Sequence, residues 1–170
     1  ILQQNMLQAI DYTATTMVNL AFRKDYGFAD KLSVEEKIQY VQTANQLYAT
    51  IMPDGNYLYH HRTFAWNHRR LAELFLLAGN IEEAFTHLLN AEKHAIAFDN
   101  MKELRYTAPI LTTLTYDPVT KSKSWQGSEQ GMLLYRLQEL KDYFTGHTEF
   151  TALENRLRTA TAGETPVSIE

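Results

Sequence analysis

The chain has 170 residues, 45% of them hydrophobic, which is enough for one compact domain with a sizeable core. Sixteen basic residues against twenty acidic ones leave a net charge of -4, which argues against a phosphate-binding surface within this segment. The lack of cysteine excludes disulfides, thiol catalysis and cysteine-bound zinc.

Residues Leu2 to Lys24 carry Met6, Ile10, Met17, Leu20 and Ala21 on one helical face, with Thr13, Thr15 and Thr16 lowering the intrinsic propensity. Ser33 with Glu36 makes a capping box, so a second helix is expected from Val34 to about Met52, with Ile38, Val41, Ala44, Leu47, Tyr48 and Ile51 as its apolar positions. Pro53-Asp54-Gly55-Asn56 reads as a turn, and a third helix begins near Tyr57 to Arg62.

The centre of the chain, Asn67 to Phe98, reads as two antiparallel helices closed at Gly79-Asn80. Glycine can take the left-handed conformation that ends one helix, while Asn80 caps the next and Glu83 completes a capping box. Leu71, Ala72, Phe75 and Ala78 recur on one helix and Ala84, Leu88, Ala91 and Ala95 on the other. Ala72 opposite Ala84 and Ala91 predicts a close approach of the two axes. Phe85, Leu89 and Ile96 form a second stripe expected to face the next element.

Asp99-Asn100 is expected to break the fourth helix, and Met101 to Leu114 to form a shorter fifth, interrupted before Pro109. A polar loop opens at Asp117-Pro118. Ser128 starts a sixth helix that Gly146 ends, and Thr148 caps a last one carrying Phe150, Leu153 and Leu157. Two regions follow: a helical domain over residues 1–158 and a flexible tail over 159–170.

Chemistry is hard to find in this sequence. His61 and His68 share one helical face, and His87 and His94 another, but no acidic ligand stands at a metal-site spacing. His68 reads as a packing residue. Glu35-Glu36 and Glu82-Glu83 fall in first helical turns, where carboxylates favour the helix dipole. No nucleophile motif or phosphate loop is present, so no catalytic residue, metal or cofactor is expected. The outer side of the third helix is the candidate binding groove, with Tyr59, Arg62, Trp66, Arg69, Arg70 and Glu73 in the residue types that dominate interfaces.

The series His68, Leu71-Ala72, Phe75, Gly79, Ala84, Leu88 and Ala91 keeps the spacing of a tetratricopeptide repeat, which the hairpin resembles. His68, Ala72, Phe75 and Leu88 stand for its Trp, Gly, Tyr and Phe, and Ile96 replaces the closing proline. Helices one and two read as a degenerate earlier copy. The resemblance implies an all-α, right-handed superhelical stack of about seven helices, with the first helix of each hairpin lining a concave face.

Pro53-Asp54-Gly55-Asn56-Tyr57, the hairpin Leu71 to Ala91, the run Glu92 to Asp99, Tyr106-Thr107 and Leu114-Thr115-Tyr116-Asp117 also resemble the C-terminal region of bacterial regulators with a Cro/C1-type helix-turn-helix. That resemblance implies a sensor or oligomerisation domain that binds a protein or peptide and forms a homodimer. It reaches DNA only through a module outside this segment, consistent with a first residue, Ile1, that is not methionine. A free-standing adaptor is the alternative. No apolar run approaches the ~20 residues that span a bilayer and no signal peptide is evident, so a cytoplasmic location without membrane contact is expected.

Overall fold

A computed structural model describes residues 2–51, 58–105, 125–126, 128–164 and 167–168, and the side chains of 4–51, 60–101 and 128–164. The described residues contain six α-helices: α1 (Leu2–Phe22), α2 (Val34–Ile51), α3 (Leu58–Leu77), α4 (Ile81–Arg105), α5 (Glu129–Leu140) and α6 (Thr148–Ala160). The described residues are all-α apart from one two-residue antiparallel pairing of Trp125–Gln126 with Val167–Ser168. No described helix is long and apolar enough to cross a membrane.

Local chemistry sets most of the helix ends. Ser33 and Glu36 exchange reciprocal bonds, Ser33 N–H to the Glu36 carboxylate and Glu36 N–H to Ser33 Oγ, both at 3.1 Å. Gly79 has φ 81°, and its N–H bonds to Leu76 O while Asn80 N–H reaches back to Phe75 O at 2.8 Å. This pair of bonds is a Schellman motif, which satisfies two end carbonyls of α3. Asn80 Oδ1 then accepts Glu83 N–H at 3.1 Å. The expected box at Asn80 is therefore only half made, because the Asn80 N–H is already committed to α3.

Two other expected ends are corrected. Asp99 and Asn100 do not break α4, which continues to Arg105. The Asp99 side chain is turned away from its own backbone and accepts the N–H groups of Glu129 and Gln130 at 2.9 and 3.1 Å. The remainder of the expected fifth helix, with Pro109, lies outside the described residues. Thr148 is the first residue of α6 rather than its cap, because His147 Nδ1 accepts Phe150 N–H at 3.0 Å. Gly146, at φ 77°, turns the chain into that position.

Each helix packs antiparallel on the next. Thr15 meets Tyr48 across α1 and α2, Asn45 meets Asn67 across α2 and α3, His68 meets His87 across α3 and α4, Phe85 meets Phe144 beyond α5, and Gln138 meets Glu154 across α5 and α6. Helices α1 and α3 touch in parallel through Asp11 and His60, and α3 and α5 through Trp66 and Glu129.

The largest core cluster holds Ala72, Ala84, Leu88 and Ala91, all fully buried, together with Leu137, Leu153 and Leu157 from the later helices. A second cluster joins Ala14, Val18, Ala44, Tyr48, Ile51 and Phe64. Met6, expected on the buried face of α1, is 60% exposed; of the others expected there Ala21 is fully buried and Ile10 and Met17 pack partly buried on the core, which Ala14 and Val18 join. Of the second stripe of α4, only Phe85 is covered; Leu89 and Ile96 are exposed. Because Ala84 is fully buried in the same cluster as Ala72, Ala84→Leu should overpack it and destabilise the protein by ~1 to 3 kcal/mol in thermal unfolding.

Candidate functional site

The candidate residues of α3 do not form a solvated rim. Arg62 Nε lies 3.3 Å from Glu129 Oε1, and Trp66 Nε1 donates to Glu129 Oε2 at 2.7 Å. Arg62 also stands over the Trp66 ring at 4.7 Å. Arg69 is buried and pairs with Glu73 at 3.4 Å, one helical turn on. Arg70 lies against the rings of Phe22 and Trp66. The structure thus brings Arg62, Trp66, Arg69, Arg70 and Glu73 onto the side of α3 that meets α1 and α5. The side chain of Tyr59 is outside those described.

Glu129 is the hub. It is 6% exposed, and burial pushes its carboxyl up to about 7 against the opposing pull of Arg62 and the Trp66 hydrogen bond. Asp99, also buried, raises it further. Asp99 accepts the first two N–H groups of α5 and the Gln130 side-chain amide, while Ser128 Oγ accepts the N–H of Gly131. Three of the N–H groups that open α5 are therefore satisfied, two of them by a carboxylate from α4 placed at the positive end of the helix dipole.

Beside α3 lies a trough formed with α1 and α2. It consists of a cavity of about 520 Å³ reaching Gln4, Asp11 and His60, and one of about 250 Å³ reaching Asn19, Trp66 and Arg70. Thr15, Tyr48 and Thr63 border both. The Thr15 and Tyr48 hydroxyls are 2.6 Å apart, and Asp11 meets His60 Nε2 at 3.2 Å. Sequence reasoning missed Thr15, Asn19, Tyr48, Thr63, Asp99 and Glu129. A signal existed on α1, where Asp11, Thr15 and Asn19 recur at four-residue spacing and so share a face.

On the α3–α4 seam, the two histidine pairs meet across the helices. His61 Nδ1 faces His94 Nδ1 at 3.1 Å, and His68 Nδ1 faces His87 Nδ1 at 2.9 Å. Ring centres 5.4 and 5.1 Å apart exceed these distances by about two ring radii, so the nitrogens point at one another in line. Each contact needs one nitrogen protonated and the other bare. Such a line has no room for an ion between the nitrogens, since zinc needs roughly 2.0 Å to each ligand. Among the described residues no group of three His, Cys, Asp or Glu could hold a metal. Burial, reinforced by neighbouring imidazoles and Lys93, lowers His68 to about 3 and His94 to about 4. Burial lowers His61 and His87 as well.

No protein-family model, curated protein or solved structure matches the chain.

The two sets of buried groups titrate in opposite senses. Histidines lowered from 6.5 give stability that is fully present above that value and is lost as pH falls toward about 4 and 3. Glu129, raised from 4.5 to about 7, gives stability present below 4.5 and lost as pH rises through 7. Denaturant titrations should therefore show weakening below pH 6.5. Glu129→Gln should make that decline steeper between pH 6.5 and 4.5, by up to about 1.4 kcal/mol per pH unit. A second expectation concerns α5: Asp99→Ala strips acceptors from two of its N–H groups and should cost about 2 to 4 kcal/mol by the same measurement.

Proposed function

We propose that this chain is the sensor and oligomerisation domain of a helix-turn-helix transcriptional regulator, a tetratricopeptide-like superhelical stack that takes a protein or peptide effector on the α1–α3 side. The carrying observation is that Trp66, which borders the trough, donates to buried Glu129 at the start of α5, beside the contact of Arg62 with the same carboxylate. An occupant that shifts α3 must stretch or release those bonds, so occupancy and the α3–α5 geometry are linked. Further support comes from the antiparallel succession of helices, the parallel contacts of α1 with α3 and of α3 with α5, and the trough beside α3. DNA contact belongs to a module outside this acidic segment, and the working form is a cytoplasmic homodimer.

Exposed Leu89 and Ile96, seven residues apart on α4, favour a second reading. They offer an apolar strip through which a free-standing adaptor would recruit another protein.

The test joins this chain to a DNA-binding head that is inactive as a monomer. The fusion should repress a reporter, and pools of short peptides should shift that repression. A monomeric, silent fusion would sink the regulator reading and leave the adaptor. Trp66→Phe keeps an aromatic ring, smaller than the indole, and removes the N–H to Glu129, so it should lower stability by about 1 to 3 kcal/mol and blunt the response to peptide.

A further inference from the structure

We propose that the smaller cavity between α1, α2 and α3 is a carboxylate-binding site with Arg70 as its charge anchor. The proposal rests on the reading of this side of α3 as the ligand side, and names the chemistry that side recognises.

Arg70 differs from its peers. Arg23, Arg62, Arg69, Arg136, Arg156 and Arg158 each have a carboxylate oxygen within 3.4 Å. Among the described side chains, Arg70 is the arginine for which no such partner is found. What it has instead are two aromatic rings, Phe22 at 5.2 Å and Trp66 at 5.8 Å. Ring contacts of this kind attract the cation without using its N–H groups, which lie in the plane of the guanidinium. Five donors in the fork geometry that suits a carboxylate are thus left without a protein acceptor. Burial, with Arg69 next in sequence, pushes Arg70 down to about 10, which is the direction an arriving anion would reverse.

The cavity in front of Arg70 is rich in donors and has no acid in its lining. Thr63 and Asn19 make no side-chain hydrogen bond among the described residues, so a hydroxyl and an amide remain to be used. Thr15 and Tyr48 share one hydrogen bond between two hydroxyls, leaving one O–H free to donate. A volume of about 250 Å³ suits an acid group with a few atoms behind it, and the adjoining cavity of about 520 Å³ takes the rest of a longer molecule.

Charge then narrows the class. A single cation balances a monoanion, whereas a phosphate dianion would bring a second negative charge that the lining does not meet. At the far end of the trough Asp11 repels a further anion, so the ligand is a carboxylate whose remaining part is neutral or cationic. Free small organic acids and the C-terminus of a short peptide both meet that description.

Titration calorimetry on the folded chain separates them. The probes are sodium acetate, sodium benzoate, tetra-alanine with a free C-terminus and tetra-alanine amide, with sodium chloride at matched ionic strength and inorganic phosphate as references. The free acids should bind, the amide should not, and Arg70→Gln should weaken binding by roughly tenfold or more. Tighter binding of the peptide acid than of acetate and benzoate assigns the site to peptide termini, and the reverse assigns it to free acids. An Arg70→Gln protein that binds as the parent does overturns the site, as does a response reproduced by chloride or exceeded by phosphate, or silence from every acid. Should Arg70→Gln fail to fold, Thr63→Val and Asn19→Leu leave the arginine between its rings and should each weaken acetate several-fold; no change in either overturns the site equally. Acetate binding requires neither effector nor DNA. A protein that takes acetate at Arg70 yet is silent in the reporter loses only the regulator reading, and a regulated fusion indifferent to Arg70→Gln loses only this site.

Discussion

Two buried carboxylates, Asp99 and Glu129, meet where α5 begins against α3 and α4, and neither can withdraw without leaving buried N–H groups unmet. An unsatisfied buried donor costs more than an ordinary hydrogen bond contributes, so this junction fixes the position of α5 more firmly than apolar contact alone would. The later core, Leu137 with Leu153 and Leu157, then forms against an α5 already held in place. Trp66 belongs both to this junction and to the trough beside α3.

The seam on the other side of α3 is built from neutral imidazoles. Two in-line Nδ1 contacts fill the space between α3 and α4 with flat rings, extended by Phe64 against His94 and Phe75 against His87. Half-buried rings of this kind pack like small aromatics only while they stay uncharged. The histidines therefore oppose acid and Glu129 opposes base, so α3 sits between groups that favour opposite ends of the neutral range.

How far the sequence was legible follows from how far each interaction reaches. The Gly79-Asn80 turn, the Ser33 and Glu36 box and the Ser128 cap are completed within a few residues, and each was readable in place. Asp99 was misread as a helix breaker because its partners lie 30 residues downstream, where no local pattern shows them. The candidate groove had the same difficulty. Periodicity put Arg62, Trp66, Arg69 and Arg70 on one side of α3, but Trp66 is half-buried because Glu129, 63 residues away, accepts its N–H. Leu89 and Ile96 were assigned a neighbour on hydrophobicity alone, and the packing of α5 and α6 reaches Phe85 without covering them. Of the trough only the α1 wall, with Asp11, Thr15 and Asn19 on one face, left a local pattern; its other walls come from two further helices, and Tyr48 looked like an ordinary apolar position.

The order of packing also carries a kinetic meaning. Because every described helix lies against its successor, most of the core joins segments that are close along the chain, and loop closure costs little entropy before those contacts form. Such a chain can acquire structure progressively as it leaves the ribosome, the α1–α2 pair first and the α3–α4 pair upon it. The bonds from Asp99 and Trp66 to Glu129, which span 30 and 63 residues, can form only once α5 has emerged, and they seat it for the later core.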